Sequence, residues 1–450
     1  MDSPSVVVGT DSVRTAHVDE AFVGTLEAVL DGGHHFGPDR AEKSRKGSTE
    51  ILGFQVLMAD ARDRITTNPK RPLNVVGAVA RFAWMVAGSD RLEDIAFYEP
   101  KVRPYTDNMI SVPGSNYGMR LFQPRPGLNQ LRGVVDRILG EADSRRAAAV
   151  IWTPDDAVRR SNDVPCAFGA FYHVRDGHLV TTTVMRSNNA FLLLPYNAFE
   201  FSLIGEMVAA AVGAEMGPYV HYAASMHVLD QEADAAREVI HEYSRTTPKR
   251  RPMPPMPTSP DPLRQAETVA RLEAGLRNDP SRLNSKPISD LRKQAESDLH
   301  PYWLAFYDVL LCHMLVRADR PPEALELSRQ LPEYFSWSVE FLINKALNDR
   351  RPGGQLTLVP PARDFIADIA GAMSDIDVGQ FERLDDVITG LEHEGVIAPV
   401  SRIEAVQLYE RQLARLAARS ETGDNRPSPH LHIVRDEVIE DLHWIRGQRK

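Results

Sequence analysis

Three short polar segments carry side chains that could do chemistry together. Cys166 follows Pro165, Arg186 opens an Arg-Ser-Asn-Asn segment twenty residues later, and Asn197 ends a Pro-Tyr-Asn segment. A cysteine is nucleophilic as its thiolate, a form that a nearby guanidinium favours. A lone cysteine in apolar surroundings is more often a small core residue. We interpret Cys166 as the candidate nucleophile, with the core interpretation left open, and Cys312 on an apolar helix as a core residue.

Length and composition restrict the class of protein. The chain has 450 residues, of which 43% are hydrophobic and 25% charged, as in globular proteins with two or three domains. It lacks an apolar run near the roughly 20 residues that span a bilayer, and its first residues do not resemble a secretory signal. The net charge of −10 argues against bulk nucleic-acid binding. Two distant cysteines give no disulfide framework or metal spacing, so we expect a cytoplasmic protein without a metal.

The chain divides at a proline-rich segment. We predict a first domain at residues 1–245, a linker at 246–262 and an all-α domain at 263–450. Proline removes backbone donors and fixes φ, which predicts an extended, solvated linker. The first domain mixes elements, and its fold class is predicted as a mixed α/β (α+β) sheet. Its predicted elements are strands at 147–152 (buried) and 178–184, and helices at 74–87 and 197–212, the last with Asn197 as N-cap and Gly213 as C-terminal stop.

Strand signals nearly vanish after the linker. Apolar residues at helical spacing predict helices at 302–316, 321–330, 336–347 and 402–419, without a fixed repeat length. We interpret this part as an interaction or regulatory module, and a protein partner is one candidate ligand for it.

From Phe36 to Leu229 the order of the motifs resembles the superfamily of thymidylate synthases and pyrimidine nucleotide hydroxymethylases. The resemblance implies that the Cys166 thiolate attacks C6 of a pyrimidine nucleotide monophosphate. Arg186 would activate the thiol and bind phosphate. The implied activity is one-carbon transfer to C5, with 5,10-methylenetetrahydrofolate as donor.

The resemblance also assigns the substrate contacts. Arg45, in Arg-Lys-Gly-Ser-Thr, resembles the phosphate loop, and Ser187 would contact the same phosphate. Arg145 and Arg146 resemble the arginines that one subunit contributes to its neighbour's phosphate site. This implies a homodimer with shared active sites.

Three further residues match motifs that contact the base, the sugar and the cofactor side. Asn197 matches the asparagine that reads the pyrimidine edge; an amide suits uracil without excluding cytosine. Tyr117, in Gly-Ser-Asn-Tyr-Gly, matches a tyrosine on the cofactor side, and His227 matches the histidine that binds the sugar hydroxyl.

Several family residues are replaced. Arg81 occupies the place of the catalytic glutamate three residues before Trp84, and Asn189 replaces the aspartate of Arg-Ser-x-Asp, leaving an amide as a substrate contact. Leu229 replaces the tyrosine that pairs with the sugar-binding histidine, and Ala167 replaces the histidine after the cysteine. The residues that hold the nucleotide thus survive better than those that move protons.

Arg81 is the only charge between positions 74 and 87. Because a buried guanidinium without a partner is costly, Arg81 either meets an anion in the cleft or lies on an exposed helix face. Three functions follow as alternatives: a divergent one-carbon transferase in which water or Tyr117 replaces the missing acid, a nucleotide-binding protein that does not catalyse, or different chemistry on an anionic substrate.

Overall fold

The computed structural model describes residues 12–37, 47–161, 163–246, 250–349 and 435–447, with isolated positions between 384 and 415. The chain forms two compact units, Met1–Leu356 and Thr357–Lys450. The first unit contains the sheet and all the candidate site residues. It has a mixed-sheet part followed by helices, which confirms the predicted fold class.

An eight-stranded mixed sheet lies at the centre of the first unit. Its strands are β1 (Ser12–Thr15), β2 (His34–Phe36), β3 (Ser48–Met58), β4 (Ala148–Val150), β5 (Ala167–Arg175), β6 (His178–Met185), β7 (Asn188–Asn189) and β8 (Glu215–Leu229). The order is β1-β3-β8-β6-β5-β4, with β2 beside β3 and β7 beside β8. β5 and β6 are antiparallel neighbours, whereas β6 and β8 run parallel. The strand predicted at 178–184 is β6.

The two faces of the sheet differ in their surroundings. On one face the β6 side chains of Leu179 and Met185 are fully buried, and the helices Val18–Gly32 and Leu194–Val212 pack against the sheet. On the other face, the strands β4, β5 and β8 leave Val150, Phe171 and Tyr222 exposed. The strand predicted as buried at 147–152 is therefore a short edge strand, because only alternate residues face the core.

The helices of the first unit lie between and after the strands. They are α1 (Val18–Gly32), α2 (Val75–Ala87), α3 (Leu92–Ala96), α4 (Tyr117–Phe122), α5 (Gln130–Gly140), α6 (Pro154–Val158), α7 (Leu194–Val212), α8 (Ala233–Arg245), α9 (Pro262–Arg277), α10 (Pro280–Ser285), α11 (Ile288–Asp298), α12 (Pro301–Arg317), α13 (Pro321–Ser328) and α14 (Glu333–Asp349). Two 3₁₀ turns, Pro100–Tyr105 and Asp230–Glu232, complete the described helical elements of the first unit.

Two helix predictions can be compared with the structure in detail. The helix predicted at 74–87 is α2, and the Asn74 side chain caps it by accepting from the Gly77 amide. The helix predicted from Asn197 begins earlier, at Leu194, with Pro195 in its first turn. The prediction that Asn197 is the N-cap is therefore wrong, and its amide is available for other contacts. Gly213, with φ of 71°, ends α7 as predicted, because that conformation favours glycine.

The segment predicted as a solvated linker is anchored at a few positions, whereas most of its described residues are exposed. Met253 and Met256 are buried, and their amides donate to the Arg62 carbonyl and the Glu206 carboxylate. The helices that follow cover α2, where Phe82 stacks on the fully buried Trp303 with centroids 6.2 Å apart. The linker segment is therefore largely exposed, as predicted, but the prediction did not include the two buried methionines that hold it against the first domain. The division into domains at 245 and 263 stays a prediction.

The helices predicted at 302–316, 321–330 and 336–347 are confirmed as α12, α13 and α14, whereas most of 402–419 lies outside the described residues. In the second unit, a helix at Arg435–Gly447 carries a fully buried Asp441. Its carboxylate accepts from Arg411, Gln412 and Arg415. Over the described part of the chain, none of the helices combines the length and the hydropathy that crossing a bilayer requires.

Candidate active site

The candidate nucleophile and its arginine meet at one end of the β5–β6 pair. Cys166 immediately precedes β5 and Arg186 immediately follows β6, and the Arg186 amide donates to the Cys166 carbonyl at 2.8 Å. The Arg186 guanidinium donates to the carbonyls of Pro165 and Val164. It also lies 3.7 Å from the Cys166 Sγ. The strand pairing thus fixes a guanidinium beside a half-buried thiol.

The Cys166 thiol is not activated by this neighbour alone. Burial raises the pKa of Cys166 above its ordinary value, and the nearby carboxylate of Asp163 acts in the same direction. The Arg186 and Arg81 guanidinium groups act to lower the pKa of the thiol, as the sequence suggested, but they do not outweigh burial. The thiolate therefore needs a base or a further positive charge at neutral pH.

Arg81 has carboxylate partners within the protein. Its Nε donates to Glu200 on α7 at 2.5 Å, and its Nη1 lies 3.5 Å from Glu99. The Arg81 side chain is 15% exposed and Glu200 is fully buried. The guanidinium also lies over the Tyr196 ring. Of the two alternatives for Arg81, the exposed helix face is excluded, and the anion it meets is a glutamate of this chain.

Asn197 belongs to the same hydrogen-bond network. Its Nδ2 donates to Glu200 at 3.4 Å, and its Oδ1 accepts from the Asn188 Nδ2 at 2.6 Å. All three side chains are buried. The amide is therefore held from both ends, and one N–H and one lone pair remain for a ligand.

Asn189, at the position of the family's aspartate, also has a carboxylate partner. Its Nδ2 donates to Glu232 at 2.8 Å, and its Oδ1 accepts from the Leu192 amide. Glu232 is buried, and the same oxygen accepts from the Leu229 amide. The other oxygen of Glu232 has no hydrogen-bond partner among the described residues. A buried acceptor thus lies next to the position at which the acid was lost.

Tyr117 occupies the start of α4. Its ring stacks on Phe201 with centroids 5.9 Å apart, and Cys166, Arg81 and Glu200 are among its electrostatic neighbours. Burial raises the pKa of Tyr117, so its hydroxyl stays protonated and can donate but not act as a base. The glycine after it is required by packing: a Cβ on Gly118 would lie 1.7 Å from the Met85 carbonyl oxygen.

Only some of the residues predicted to bind the sugar and the phosphate lie close to one another. The Ser187 hydroxyl lies 3.4 Å from the Nδ1 of His227, whose pKa is lowered chiefly by burial. Arg145 and Arg146 are exposed and form no ion pair among the described residues. Arg45 lies outside the described residues. Cys312 is fully buried, in agreement with a core role.

Sequence reasoning missed the glutamates that pair with the replaced positions. Glu200, Glu99 and Glu232 were not considered as site residues. One signal was available, because Glu200 and Glu206 are the only charges in the otherwise apolar α7. A charge in such a helix needs a partner for the same reason as Arg81 does.

The fold and this arrangement define a class of protein. Residues 20–257 match the family model for thymidylate synthase, and the chain belongs to that family. The match ends within the segment before α9, so the later helices are an addition to the family domain. Members of the family are one-carbon transferases that act on a pyrimidine nucleotide monophosphate and use methylenetetrahydrofolate.

Individual relatives agree with this assignment. A protein of Methanocaldococcus jannaschii named "Putative thymidylate synthase" is 32% identical over 156 residues, which cover 32% of this chain and 70% of the relative. A protein of the same name from Methanosarcina acetivorans is 31% identical, covering 34% and 72%. The deoxyuridylate hydroxymethyltransferase of Delftia phage PhiW-14 is 27% identical, covering 43% and 57%.

Proposed function

We propose that this protein transfers a one-carbon unit to C5 of a pyrimidine nucleotide monophosphate through a covalent adduct with Cys166. The observation that carries the proposal is the pairing of a half-buried thiol with the Arg186 guanidinium at 3.7 Å. The membership of the family supports the reaction class. The name of the phage relative makes hydroxymethyl transfer a product to test beside methyl transfer.

The reaction begins at the thiol. The Cys166 thiolate forms a bond to C6, and the π electrons of the C5–C6 bond move towards O4, which makes C5 nucleophilic. C5 then takes the one-carbon unit from a nitrogen of the bound folate, and a methyl product also takes a hydride from it, whereas a hydroxymethyl product takes its hydroxyl group from water. Loss of the C5 proton and of the thiolate from C6 then restores the C5–C6 double bond. Asn197 holds the base edge through its free N–H and lone pair, and Arg186 stabilises the departing thiolate.

We assign proton handling to Tyr117 and to groups near it. Tyr117 is a donor, because burial raises its pKa. Glu200 is a buried carboxylate among the electrostatic neighbours of Tyr117, and Arg81 holds it in place. We assign the proton transfer at C5 to an ordered water or to Tyr117. Arg81 occupies the position of the family's glutamate, and Glu200 on α7 supplies the carboxylate in its place.

One observation indicates that the residues around Asn189 fit methylenetetrahydrofolate. The unpaired buried oxygen of Glu232 is an acceptor next to Asn189, and the donor-rich edge of a pterin ring complements an acceptor of this kind. We assign Glu232 and Asn189 to hold that edge, with Tyr117 on the cofactor side. When bound, the folate supplies the one-carbon unit. The chain's own contribution is to bind the ring and exclude water.

The phosphate site and the homodimer form one proposal. Arg186 and Ser187 would bind phosphate from within the chain, with Arg45, and the exposed Arg145 and Arg146 would reach a second copy. The exposed apolar side chains Val150, Phe171 and Tyr222 on one sheet face support association of two copies through that face. A sedimentation measurement that finds only a monomer at micromolar concentration would contradict this.

The proposed function is tested by release of tritium from C5. Exchange of C5-tritium reports addition of Cys166 to C6, and it should be measured with dUMP, UMP, dCMP and CMP, with and without methylenetetrahydrofolate. We expect exchange from at least one nucleotide and its loss in Cys166→Ala. The proposal is wrong if the full chain exchanges tritium from none of the four, with or without the folate.

A second function is favoured by a specific observation. The two replaced acid positions, Arg81 and Asn189, are both engaged by glutamates of this chain, which is compatible with a protein that binds the nucleotide without catalysis. Such a protein would be stabilised by a pyrimidine nucleotide to the same extent with and without the Cys166 thiol. Stabilisation in Cys166→Ala without tritium release in the native chain would favour this second function.

A further inference from the structure

Arg81, which is partly exposed, and three buried side chains form a continuous hydrogen-bonded row that includes the candidate base contact Asn197. Arg81 donates to Glu200 at 2.5 Å, Asn197 donates to Glu200 at 3.4 Å, and Asn188 donates to Asn197 at 2.6 Å. The row crosses from α2 to α7 to β7. All of its hydrogen bonds join two side chains, so the orientation of each amide depends on its side-chain partners alone.

Glu200 sets the direction of donation along this row of hydrogen bonds. Burial raises the pKa of Glu200, whereas the contacting Arg81 guanidinium and the Asn197 amide act to lower it and favour the carboxylate. A carboxylate can only accept hydrogen bonds, and the guanidinium of Arg81 can only donate them. The Asn197 amide must therefore turn its NH2 group towards Glu200 and its oxygen towards Asn188. Asn188 imposes no orientation of its own, because its Oδ1 is buried and has no partner among the described residues.

This direction matters for a pyrimidine. Uracil presents an N3–H donor and an O4 acceptor, whereas cytosine presents an N3 acceptor and a 4-amino donor. An amide fixed in one orientation matches one of these edges and opposes the other, and an unpaired or clashing polar contact costs affinity.

On the basis of the proposed function, we propose that Glu200 is the residue that determines base specificity: it fixes the Asn197 amide in the orientation that reads uracil, and Arg81 is the positioning residue that holds Glu200. The arginine at the family's glutamate position then also serves recognition of the base.

The substitution Glu200→Gln tests this because it reverses the row. Arg81 requires an oxygen, so the new glutamine turns its own NH2 group towards Asn197. Asn197 then turns its oxygen to that group and its NH2 towards Asn188, which can rotate because its other end is unpaired. The Asn197 amide then presents its donor and acceptor in exchanged positions, which match cytosine instead of uracil.

The measurement is the dissociation constant of the full-length protein for UMP, CMP, dUMP and dCMP by titration calorimetry, which needs no turnover. We expect the native protein to prefer uracil nucleotides, and Glu200→Gln to lower the uracil-to-cytosine preference by about tenfold or more, the size of one mismatched polar contact. The matched control is Glu206→Gln on the same helix, where a buried glutamate pairs with Arg64 at 2.5 Å. This control should leave the preference unchanged.

A second variant keeps the test decisive if Glu200→Gln does not fold. Asn188→Asp places an acceptor at the far end of the row, so Glu200 and the new aspartate compete for the one NH2 group of Asn197. We expect it to reduce the uracil preference as well.

The inference is overturned if folded Glu200→Gln and Asn188→Asp keep the native preference, or if the native protein prefers cytosine nucleotides. Failure of the proposed function looks different. In that case the native protein releases no C5-tritium from any of the four nucleotides, whatever their dissociation constants. Binding with an unaltered preference in both variants overturns the inference alone.

Discussion

The guanidinium of Arg186 lies 3.7 Å from the Sγ of Cys166, and the pKa of that thiol is nevertheless above its ordinary value. Burial favours the neutral thiol more than the arginine favours the thiolate. The site therefore holds its nucleophile in the protonated form in the absence of a ligand. Binding of a substrate that supplies or orders a base would be needed to generate the thiolate.

The first prediction concerns alkylation of Cys166. Replacing Arg186 with Gln removes a charge that lowers the pKa of the thiol, so the rate of reaction with iodoacetamide should rise only at a higher pH than in the native protein. The rate is measured between pH 6 and pH 10 (about the range over which a thiol titrates) by mass spectrometry of the intact chain.

Two controls accompany this experiment. Arg186→Lys retains the positive charge and should shift the profile less. Cys312 is fully buried and should stay unmodified while the protein is folded. Superimposable profiles for the native protein and Arg186→Gln would show that Arg186 has no electrostatic effect on the thiol.

The second prediction concerns stability at the Arg81–Glu200 pair. Arg81→Met leaves Glu200 buried with no guanidinium, which should lower the free energy of unfolding by about 3–5 kcal/mol. The double variant Arg81→Met with Glu200→Leu should recover most of this loss, because it removes both buried charges. Urea denaturation gives the four free energies of the cycle.

An exposed pair provides the comparison. Arg132 and Asp261 are 42% and 39% exposed and lie 2.9 Å apart. Because solvent screens them, Arg132→Met should cost less than about 1 kcal/mol. If Arg81→Met cost no more than this, the Arg81–Glu200 contact would not contribute to the fold.

The third prediction concerns stability in acid. His221 is fully buried, its Nδ1 lies 2.9 Å from the Tyr219 hydroxyl, and burial lowers its pKa from 6.5 to about 4. The unfolded chain binds a proton at this residue more readily than the folded chain. Its contribution to stability is therefore complete above about pH 6.5 and is lost as the pH falls towards about 4.

The variant His221→Gln should reduce the slope of the free energy of unfolding against pH by close to one proton in this range. His313, whose pKa is also lowered to about 4 by burial, remains in the variant and should keep part of the slope. A slope identical to that of the native protein would mean that His221 is charged in the fold.

The fourth prediction concerns the added helices. Trp303 is fully buried against Phe82 of α2, so Trp303→Ala should lower the free energy of unfolding by about 3–5 kcal/mol. The loss should appear in a single urea transition that also abolishes nucleotide binding, because α2 carries Arg81. Trp444, which is 51% exposed in the second unit, is the control, and its replacement by Ala should cost about 1 kcal/mol or less. Two separate transitions, with binding retained after the first, would show that residues 263–349 fold independently.

The sequence was sufficient for the parts of the site that depend on local order. Cys166 and Arg186 lie at adjacent strand ends because the intervening residues form one hairpin, β5–β6, and the helix boundaries followed from Asn74 and Gly213. Partners distant in sequence were not predictable in the same way. Arg81 and Glu200 are separated by 119 positions, and only the packing of α2 on α7 brings them together.

The linker prediction was incomplete for a related reason. Proline predicts an extended chain, but such a chain can also lie on a packed surface. Met253 and Met256 are buried, and their amide partners, Arg62 and Glu206, are distant in sequence.

The contact between Arg81 and Glu200 also constrains the mutational history of the site. Restoring a glutamate at position 81 while Glu200 is present would place two carboxylates together in a buried cleft, and losing Glu200 first would leave Arg81 with only the more distant Glu99. Each single step is expected to lower stability, so substitutions at the two positions should be epistatic, with a paired exchange tolerated better than either change alone.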